Sequence, residues 1–407
     1  MNQRATKDDI PIKTSRKNSV SLFACFCILL NSLIGVGAIK NSRHGNCGVL
    51  LFTISNIVIA FLFYYASWFL IKLMSYYKTV NYESCWKASN FKFPWIASIA
   101  GCIPCLGYAA NYFTEINNTY IMFIESVWEN APSIIIDPYF FDIIIILFFL
   151  MPCIISKERI MIVRYSYIKL FLLLVFLISI FYLFIETTLK NGFDPSNSVK
   201  LFDFSQSIIE MESEIVGTYI SFCYIFISAN QMINITFNRT KKMLRYAFTG
   251  CFLINEISFL LEYFVIFNNG ENDSFLQNID PTRTFNLFLM VCYTISLIFT
   301  IPTCMDPMRM NVFYVVKITD SYPQILWSAV GFVWMLIAAL FSTLTSNHIE
   351  ILTAFLGILA MLMQFVFPAL MILKIRHGIS KVHWVGIILF LVIGIGFSLV
   401  QIISLAL

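Results

Sequence analysis

Long apolar runs separated by short polar segments make up most of this chain. A run of about 20 apolar residues is long enough to cross a bilayer as a helix. The runs predict eleven spans, at residues 20–40, 48–71, 94–121, 138–156, 163–186, 208–235, 246–269, 284–306, 323–345, 349–374 and 382–406. Because the connections are short, the pattern predicts one helical membrane domain over 20–407, preceded by a polar tail over 1–19.

Composition and the placement of charge agree with this layout. Hydrophobic residues make up 59% of the chain and charged residues 12%, whereas a soluble domain averages about 45–50% and about 25%. Of the 27 Lys and Arg residues, 22 lie in the tail or at alternate connections, and 5 lie at the others. The first set is counted over the tail and over residues 72–92, 157–169, 239–245, 309–317 and 374–381. The positive-inside rule then places the N-terminal tail in the cytosol. Because the rule identifies only the cytosolic face, the plasma membrane and a vacuolar or lysosomal membrane are both open.

The residues that could catalyse a reaction or bind a metal do not form a pattern that favours an enzyme. The 11 cysteines are scattered, nearly all in apolar runs, and predict no disulfide framework. The 4 histidines do not cluster, and the chain contains no GxxxxGKS phosphate-binding loop. We therefore predict no catalytic residues, no cofactor, no metal site and no nucleic-acid partner. The expected partners are the lipid bilayer and a small molecule, and the sequence does not identify a protein partner.

The first span contains Asn31, Gly35 and Gly37, a combination that a plain membrane helix does not need. Glycine weakens a helix and allows conformations that leave backbone amides unpaired. In a membrane such amides are tolerated only when they are buried in protein or line a watery cavity. One interpretation is a helix broken near its middle, as in transporters with inverted repeats. The alternative is a small-residue face that packs on a neighbouring helix.

Three short motifs follow one another along the chain. They are Asn31-Ser-Leu-Ile-Gly35-Val-Gly37 in the first span, Phe226-Ile-Ser-Ala-Asn230 with Arg239-Thr-Lys-Lys-Met243 at the end of the sixth, and Phe299-Thr-Ile-Pro302 with Asp306-Pro-Met-Arg309 in the eighth. As an ordered set they resemble the amino acid/auxin permease family, which includes the sodium-coupled neutral amino acid transporters. The chain departs from the family at three places, one of which is Lys40, where a small residue is common. It has Asn41-Ser42 where a proline is usual, and Ala229-Asn230 where His-Pro is frequent.

The resemblance implies an all-α membrane protein with eleven transmembrane helices in an inverted-repeat 5+5 transporter fold of the LeuT/APC type, with helices 1 and 6 broken. It implies secondary transport of amino acids by alternating access, either as ion-coupled symport or as facilitated transport. The substrate carboxylate would bind the amides of Gly35, Val36 and Gly37. Carbonyls near Phe226 and Ser228 would face the amino group.

Three residues are candidates for coupling to a Na⁺ or H⁺ gradient. Asn31 and Thr300 occupy positions similar to those that sodium-coupled members of the family use. As alternatives, a membrane threonine often bonds its own backbone one turn back, and an asparagine often joins two helices. Glu256 lies deepest among the intramembrane carboxylates and is a candidate proton site. Its alternatives are an ion pair or an interfacial position.

A second hypothesis is a non-transporting amino acid sensor with the same fold. The departures at the proline and at His-Pro favour it, whereas the short tail leaves little room for a signalling motif. The sequon at Asn272 lies in a predicted outer loop and is the one sequon placed for glycosylation.

Overall fold

The computed structural model describes most of the chain. The described residues are 20–35, 47–79, 81–157, 160–191, 199–203, 208–267, 275–279, 283–317, 323–344, 356–374 and 381–404. In these ranges the regular elements are helices, and the one extended pairing is an isolated bridge between Val20 and Met232. Asn272, Val36 and Gly37 lie outside the described residues.

Fourteen labelled helices account for the fold within the described ranges. They are α1 (Leu22–Leu33), α2 (Val49–Tyr77), α3 (Tyr82–Ala88), α4 (Trp95–Val127), α5 (Pro138–Ile155), α6 (Ile160–Asn191), α7 (Ile208–Tyr219), α8 (Phe222–Asn230), α9 (Phe237–Phe267), α10 (Thr284–Ile298), α11 (Ile301–Val315), α12 (Gln324–Leu344), α13 (Leu356–Leu373) and α14 (Lys381–Ser404). Two four-residue helices, Ser133–Ile136 and Phe275–Asn278, lie in connections. Short π-helical segments, Ile145–Leu150 and Leu362–Val366, interrupt α5 and α13.

Eight helical stretches in the described part are long and apolar enough to cross a membrane. Two further apolar helices are shorter, namely α1 and residues Trp384–Leu399 within α14. The prediction of a multi-pass, all-α membrane protein is therefore confirmed. The number eleven stays a prediction, and the sixth and eighth predicted spans are each divided into two helices, α7–α8 and α10–α11.

Polar side chains fix where several helices begin. The Ser21 side chain accepts a hydrogen bond from the amide of Ala24 at 3.1 Å and caps α1. The Asn81 side chain accepts one from the amide of Ser84 at 2.6 Å and caps α3. Such caps satisfy amides that have no partner in the first turn of a helix.

One group of helices packs around α4, which makes its most extensive contacts with α11 and α12. The buried Arg309 of α11 belongs to the resemblance motif of the eighth span. Its guanidinium donates to the carbonyl of Ile154 at 2.9 Å and to that of Cys153 at 3.3 Å, and it lies 4.8 Å from the ring centroid of Trp327. These bonds satisfy the last turn of α5. A Cβ atom at Gly331 of α12 would clash with this guanidinium, so the position requires glycine.

A second group places α1 against α6, α8 and α9, with α2 packed on α9. The start of α1 is joined to the end of α8 by backbone hydrogen bonds. The amide of Val20 donates to the carbonyl of Gln231 at 2.7 Å, and the amide of Ile233 donates to the carbonyl of Val20 at 3.0 Å. The two short helices α1 and α8 are therefore tied together at one end.

Candidate functional site

Two helices end inside the molecule. The last regular turn of α1 ends at Leu33, and the amide of Ile34 still donates to the carbonyl of Leu30 at 3.0 Å. The helix α7 ends at Tyr219, and α8 begins at Phe222 after the two residues 220–221. We call these places the α1 end and the α7–α8 break. Each leaves backbone groups that no helical bond satisfies.

A lysine meets the carbonyls at the α1 end. The ammonium of Lys169, a buried residue of α6, donates to the carbonyl of Asn31 at 2.8 Å and also to the carbonyl of Ile34. A positive charge is stabilised at a helix C-terminus, where unpaired carbonyls and the helix dipole both attract it. The carbonyl oxygens of Asn31 and Ile34 thus already hold an ammonium, whereas the buried side-chain oxygen of Asn31 has no hydrogen-bond partner within the described part of the chain.

The two predicted sodium ligands lie beside this lysine and bond within the protein. The Asn31 side chain donates to the hydroxyl of Ser166 at 3.0 Å and to the carbonyl of Phe299 at 3.3 Å, which joins α1 to α6 and to the end of α10. The Thr300 hydroxyl donates to the carbonyl of Ser296 at 2.9 Å, one turn back. Both arrangements are the alternatives considered above, and an ion-coupling role for either residue stays a prediction.

Neutral side chains meet the α7–α8 break. The amide of Ser221 donates to the side-chain oxygen of Gln364 at 3.3 Å, and the Gln364 amide donates to the hydroxyl of Ser67 at 2.9 Å. The hydroxyls of Ser67 and Ser221 lie 2.8 Å apart and close the ring. All three residues are fully buried. Gln364 belongs to the π-helical turn of α13, a feature that often marks a functional site.

A tyrosine of α4 lies against the α1 end. A Cβ atom built on Gly35 would lie 2.8 Å from the Tyr112 hydroxyl oxygen, so the α1 end touches this side chain directly. Tyr112 also lies within electrostatic range of Cys304 and Cys223. Next to it the Tyr224 hydroxyl lies 3.2 Å from the Cys304 sulfur, which joins α8 to α11. The centre of the molecule is therefore lined by tyrosine hydroxyls and buried thiols.

Phe226 and Ser228, predicted to supply carbonyls to a substrate, both lie inside α8. The interruption in this span is five residues before Phe226, so the free helix ends belong to α7 and to the start of α8. Phe226 lines a cavity of about 50 Å³, enough for a few water molecules. Ser228 lines one of about 10 Å³ beside Gln231 and Asp306. Binding of a substrate by these two residues stays a prediction.

Glu256 of α9 lies at the contact with α2. Its carboxylate accepts hydrogen bonds from the hydroxyl of Thr53 and from the side-chain amide of Asn56, the latter at 2.8 Å. The predicted proton site is thus held by two neutral donors, and its role stays a prediction.

Sequence reasoning missed the two residues that meet the helix ends. Lys169 was counted with the cations of a cytosolic connection, although it lies six residues inside the predicted span 163–186. A lysine at that depth is itself a signal of function. Gln364 lies in the middle of the span 349–374, where a polar side chain likewise needs a partner.

Comparison with known proteins gives the fold. No family model and no curated sequence match this chain. Solved structures do match, among them a Na⁺-coupled sialic acid symporter in a substrate-bound, outward-open state, with a TM-score of 0.59, 14% identity and coverage of 95% of this chain and 89% of that one. An Eremococcus coleocola manganese transporter bound to an aromatic bis-isothiourea compound matches with a TM-score of 0.56, 10% identity and coverage of 94% and 86%. The chain therefore has the fold of these secondary transporters.

Proposed function

We propose that this protein is a secondary transporter of amino acids. The observation that carries the proposal is the pair of helix ends inside the molecule, the α1 end and the α7–α8 break, in a fold shared with solute transporters. Interrupted helices at the middle of a membrane protein present amides and carbonyls to a small polar solute. The three ordered motifs support membership of the amino acid/auxin permease family. Eleven helices with a 5+5 inverted repeat and a cytosolic tail complete the proposed architecture.

The two helix ends suit a zwitterion. A carboxylate is favoured by unpaired amides at a helix N-terminus, and an ammonium by carbonyls at a C-terminus. The start of α8 supplies amides and the last turn of α7 supplies carbonyls within the same interruption. The amide of Gly35 donates to the carbonyl of Leu33 at 3.0 Å, so of the three predicted amides those of Val36 and Gly37 would complete the carboxylate side. Tyr112, which touches Gly35, would lie against the substrate.

Lys169 bears on which gradient drives transport. Its amino group lies at the α1 end, bound to carbonyls that a sodium ion would otherwise use. We infer that transport proceeds without sodium, driven by protons or by the substrate gradient. Because the bridge at Val20 and Met232 ties α1 to α8, we expect these helices to move together during alternating access.

The test is uptake of a mixed radiolabelled amino acid pool into proteoliposomes that contain the purified protein. Parallel samples carry a sodium gradient, a proton gradient or no gradient. Saturable uptake in the samples without sodium is the expected result. Liposomes that contain the variant Gly35→Leu, whose side chain would fill the space against Tyr112, serve as the matched control and should show no uptake. Absence of uptake in all samples, with protein shown to be folded, would contradict the proposal and favour the sensor hypothesis.

A further inference from the structure

A chain of polar side chains connects Glu256 to the α7–α8 break. Asn56 of α2 lies in the middle of this chain and is fully buried. Its amide nitrogen donates to the Glu256 carboxylate at 2.8 Å, and its amide oxygen accepts a hydrogen bond from the Tyr219 hydroxyl at 2.6 Å. Tyr219 is the last residue of α7, directly before the interruption. The three residues thus link a carboxylate on α9 to the end of a broken helix.

The direction of these hydrogen bonds depends on the charge of Glu256. An ionised carboxylate can only accept, so both Thr53 and Asn56 must donate to it. Asn56 can then offer only its oxygen to Tyr219, and the Asn255 amide donates to that same oxygen at 3.3 Å. These are hydrogen bonds that an ionised Glu256 can accept.

Protonation would reverse the direction of the chain. When Glu256 binds a proton, its carboxyl group becomes a donor as well as an acceptor. If this proton faces Asn56, the amide turns over and accepts it, and the amide nitrogen then faces the Tyr219 oxygen. The Tyr219 hydroxyl then loses Asn56 as its acceptor and keeps its hydrogen bond with the Asn255 side chain. Because buried polar groups without partners are costly, the change reaches Tyr219, the last residue of α7, instead of ending at Asn56.

We propose that Glu256 is the site that binds the transported proton and that Asn56 passes its protonation state to the α7–α8 break through Tyr219. The proposal rests on the proposed transport function and assigns its coupling ion. Asn56 and Tyr219 are positioning residues in this scheme, since they act on the break through hydrogen bonds. No covalent bond changes, apart from the O–H bond that forms on Glu256 and breaks again when the proton leaves.

The surroundings of Glu256 contain few other titratable groups among the described residues. On α2, Thr53 and Asn56 are neutral. On α7 the facing group is the Tyr219 hydroxyl. Cys251, on α9 itself, lies within electrostatic range of Tyr219 and of Lys169, which reaches the α1 end from α6. The chain of interactions from Glu256 therefore approaches both the α1 end and the α7–α8 break.

The first test does not require transport. Infrared difference spectra of the purified full-length protein are recorded on acidification. The expected result is a protonated-carboxyl band that disappears in Glu256→Gln, accompanied by a tyrosine band that disappears in Tyr219→Phe. The matched control is Glu186→Gln, which removes a carboxylate that is paired with Lys190 and Arg283 on the surface and should leave both bands unchanged. A carboxyl band that survives Glu256→Gln, or no tyrosine change in the wild type, would overturn the proposal.

A second variant distinguishes the contribution of Thr53 from that of Asn56, the two donors to the Glu256 carboxylate. Thr53→Val removes one donor and leaves Asn56 and Tyr219 in place. We expect this variant to retain the tyrosine band on acidification. Loss of the tyrosine band in Thr53→Val would show that the proton on Glu256 faces Thr53, and this result would overturn the role of Asn56.

The third test measures coupling in proteoliposomes. We expect Glu256→Gln to lose proton-driven accumulation by about tenfold or more while it still exchanges substrate across the membrane. Accumulation equal to that of the wild type would contradict the assignment of the proton to Glu256. If neither protein exchanges any amino acid, the proposed transport function fails, and the infrared result still decides whether Glu256 and Tyr219 are coupled.

Discussion

The α1 end and the α7–α8 break are alike in position and different in chemistry. Both are helix ends inside the molecule, and both are met by buried side chains from other helices. At the α1 end the partner is the charged ammonium of Lys169, whereas at the α7–α8 break it is the neutral amide of Gln364 with Ser67. The two helix ends are therefore met by different chemistry. The carbonyls at the α1 end bind a lysine, and the backbone at the α7–α8 break binds neutral polar side chains.

Removing the amino group of Lys169 from the α1 end should have the largest effect on stability and on substrate exchange. Lys169→Met leaves two carbonyls, those of Asn31 and Ile34, without a donor, at a cost of about 3 kcal/mol. We expect a lower melting temperature in detergent and loss of substrate exchange. The control Lys190→Met removes an exposed lysine of the same helix, whose salt bridge with Glu186 contributes about 1 kcal/mol or less. Equal melting temperatures for the two variants would contradict the role of Lys169.

Crowding the α1 end against Tyr112 should give the next largest effect. A Cβ atom at Gly35 would lie 2.8 Å from the Tyr112 hydroxyl oxygen and 3.3 Å from a ring carbon. Overpacking of this kind costs about 1–3 kcal/mol. We expect Gly35→Ala to slow exchange, and the double variant Gly35→Ala/Tyr112→Phe, which lacks the hydroxyl, to recover part of the rate. A double variant slower than Gly35→Ala would place the clash elsewhere.

Disrupting the hydrogen-bonded ring of Ser67, Ser221 and Gln364 at the α7–α8 break should have a smaller effect on stability. Gln364→Met removes the acceptor for the Ser221 amide and the donor to Ser67, and should cost about 1–2 kcal/mol. Because Ser67 belongs to the same ring, Ser67→Ala combined with Gln364→Met should cost less than the sum of the two single variants. Thermal unfolding of the four proteins measures this coupling. If the losses of stability of the two single variants simply add in the double variant, Ser67 and Gln364 do not act together.

Thr300→Ala should give the smallest effect. Its hydroxyl bonds a carbonyl of its own chain one turn back, and losing such a bond costs about 1 kcal/mol or less. We expect the substrate affinity of this variant to show the same insensitivity to sodium as that of the wild type. A sodium requirement that appears or changes in Thr300→Ala would restore Thr300 as a sodium ligand.

The sequence predicted the helical membrane architecture because hydropathy and the placement of Lys and Arg report directly on the bilayer. It also predicts a break close to Gly35, since two glycines two residues apart are unusual in a plain helix; α1 ends at Leu33, and the break itself stays a prediction. It did not place the interruption of the sixth span, because no glycine marks residues 220–221; there the partners Gln364 and Ser67 stabilise the break from other helices. Long-range partners of this kind leave no local pattern in the chain.

Lys169 shows the limit of counting charges. The positive-inside rule counts every lysine near a span as a loop residue. The number of Lys and Arg residues on each side of the membrane therefore does not reveal a lysine that lies inside the protein. Lys169 is instead buried against the α1 end, and its partners are backbone carbonyls of residues more than 130 positions away. A backbone carbonyl has no sequence signature, so the pairing became visible only in the folded structure.

The most direct test of this account is a sodium titration of amino acid uptake by the wild-type protein. Proteoliposomes are prepared with choline in place of sodium on both sides, and uptake is measured as sodium is returned. If the Lys169 ammonium is the resident cation of the α1 end, uptake is complete without sodium and does not change as sodium is added. Uptake that requires sodium and saturates with its concentration would contradict the account.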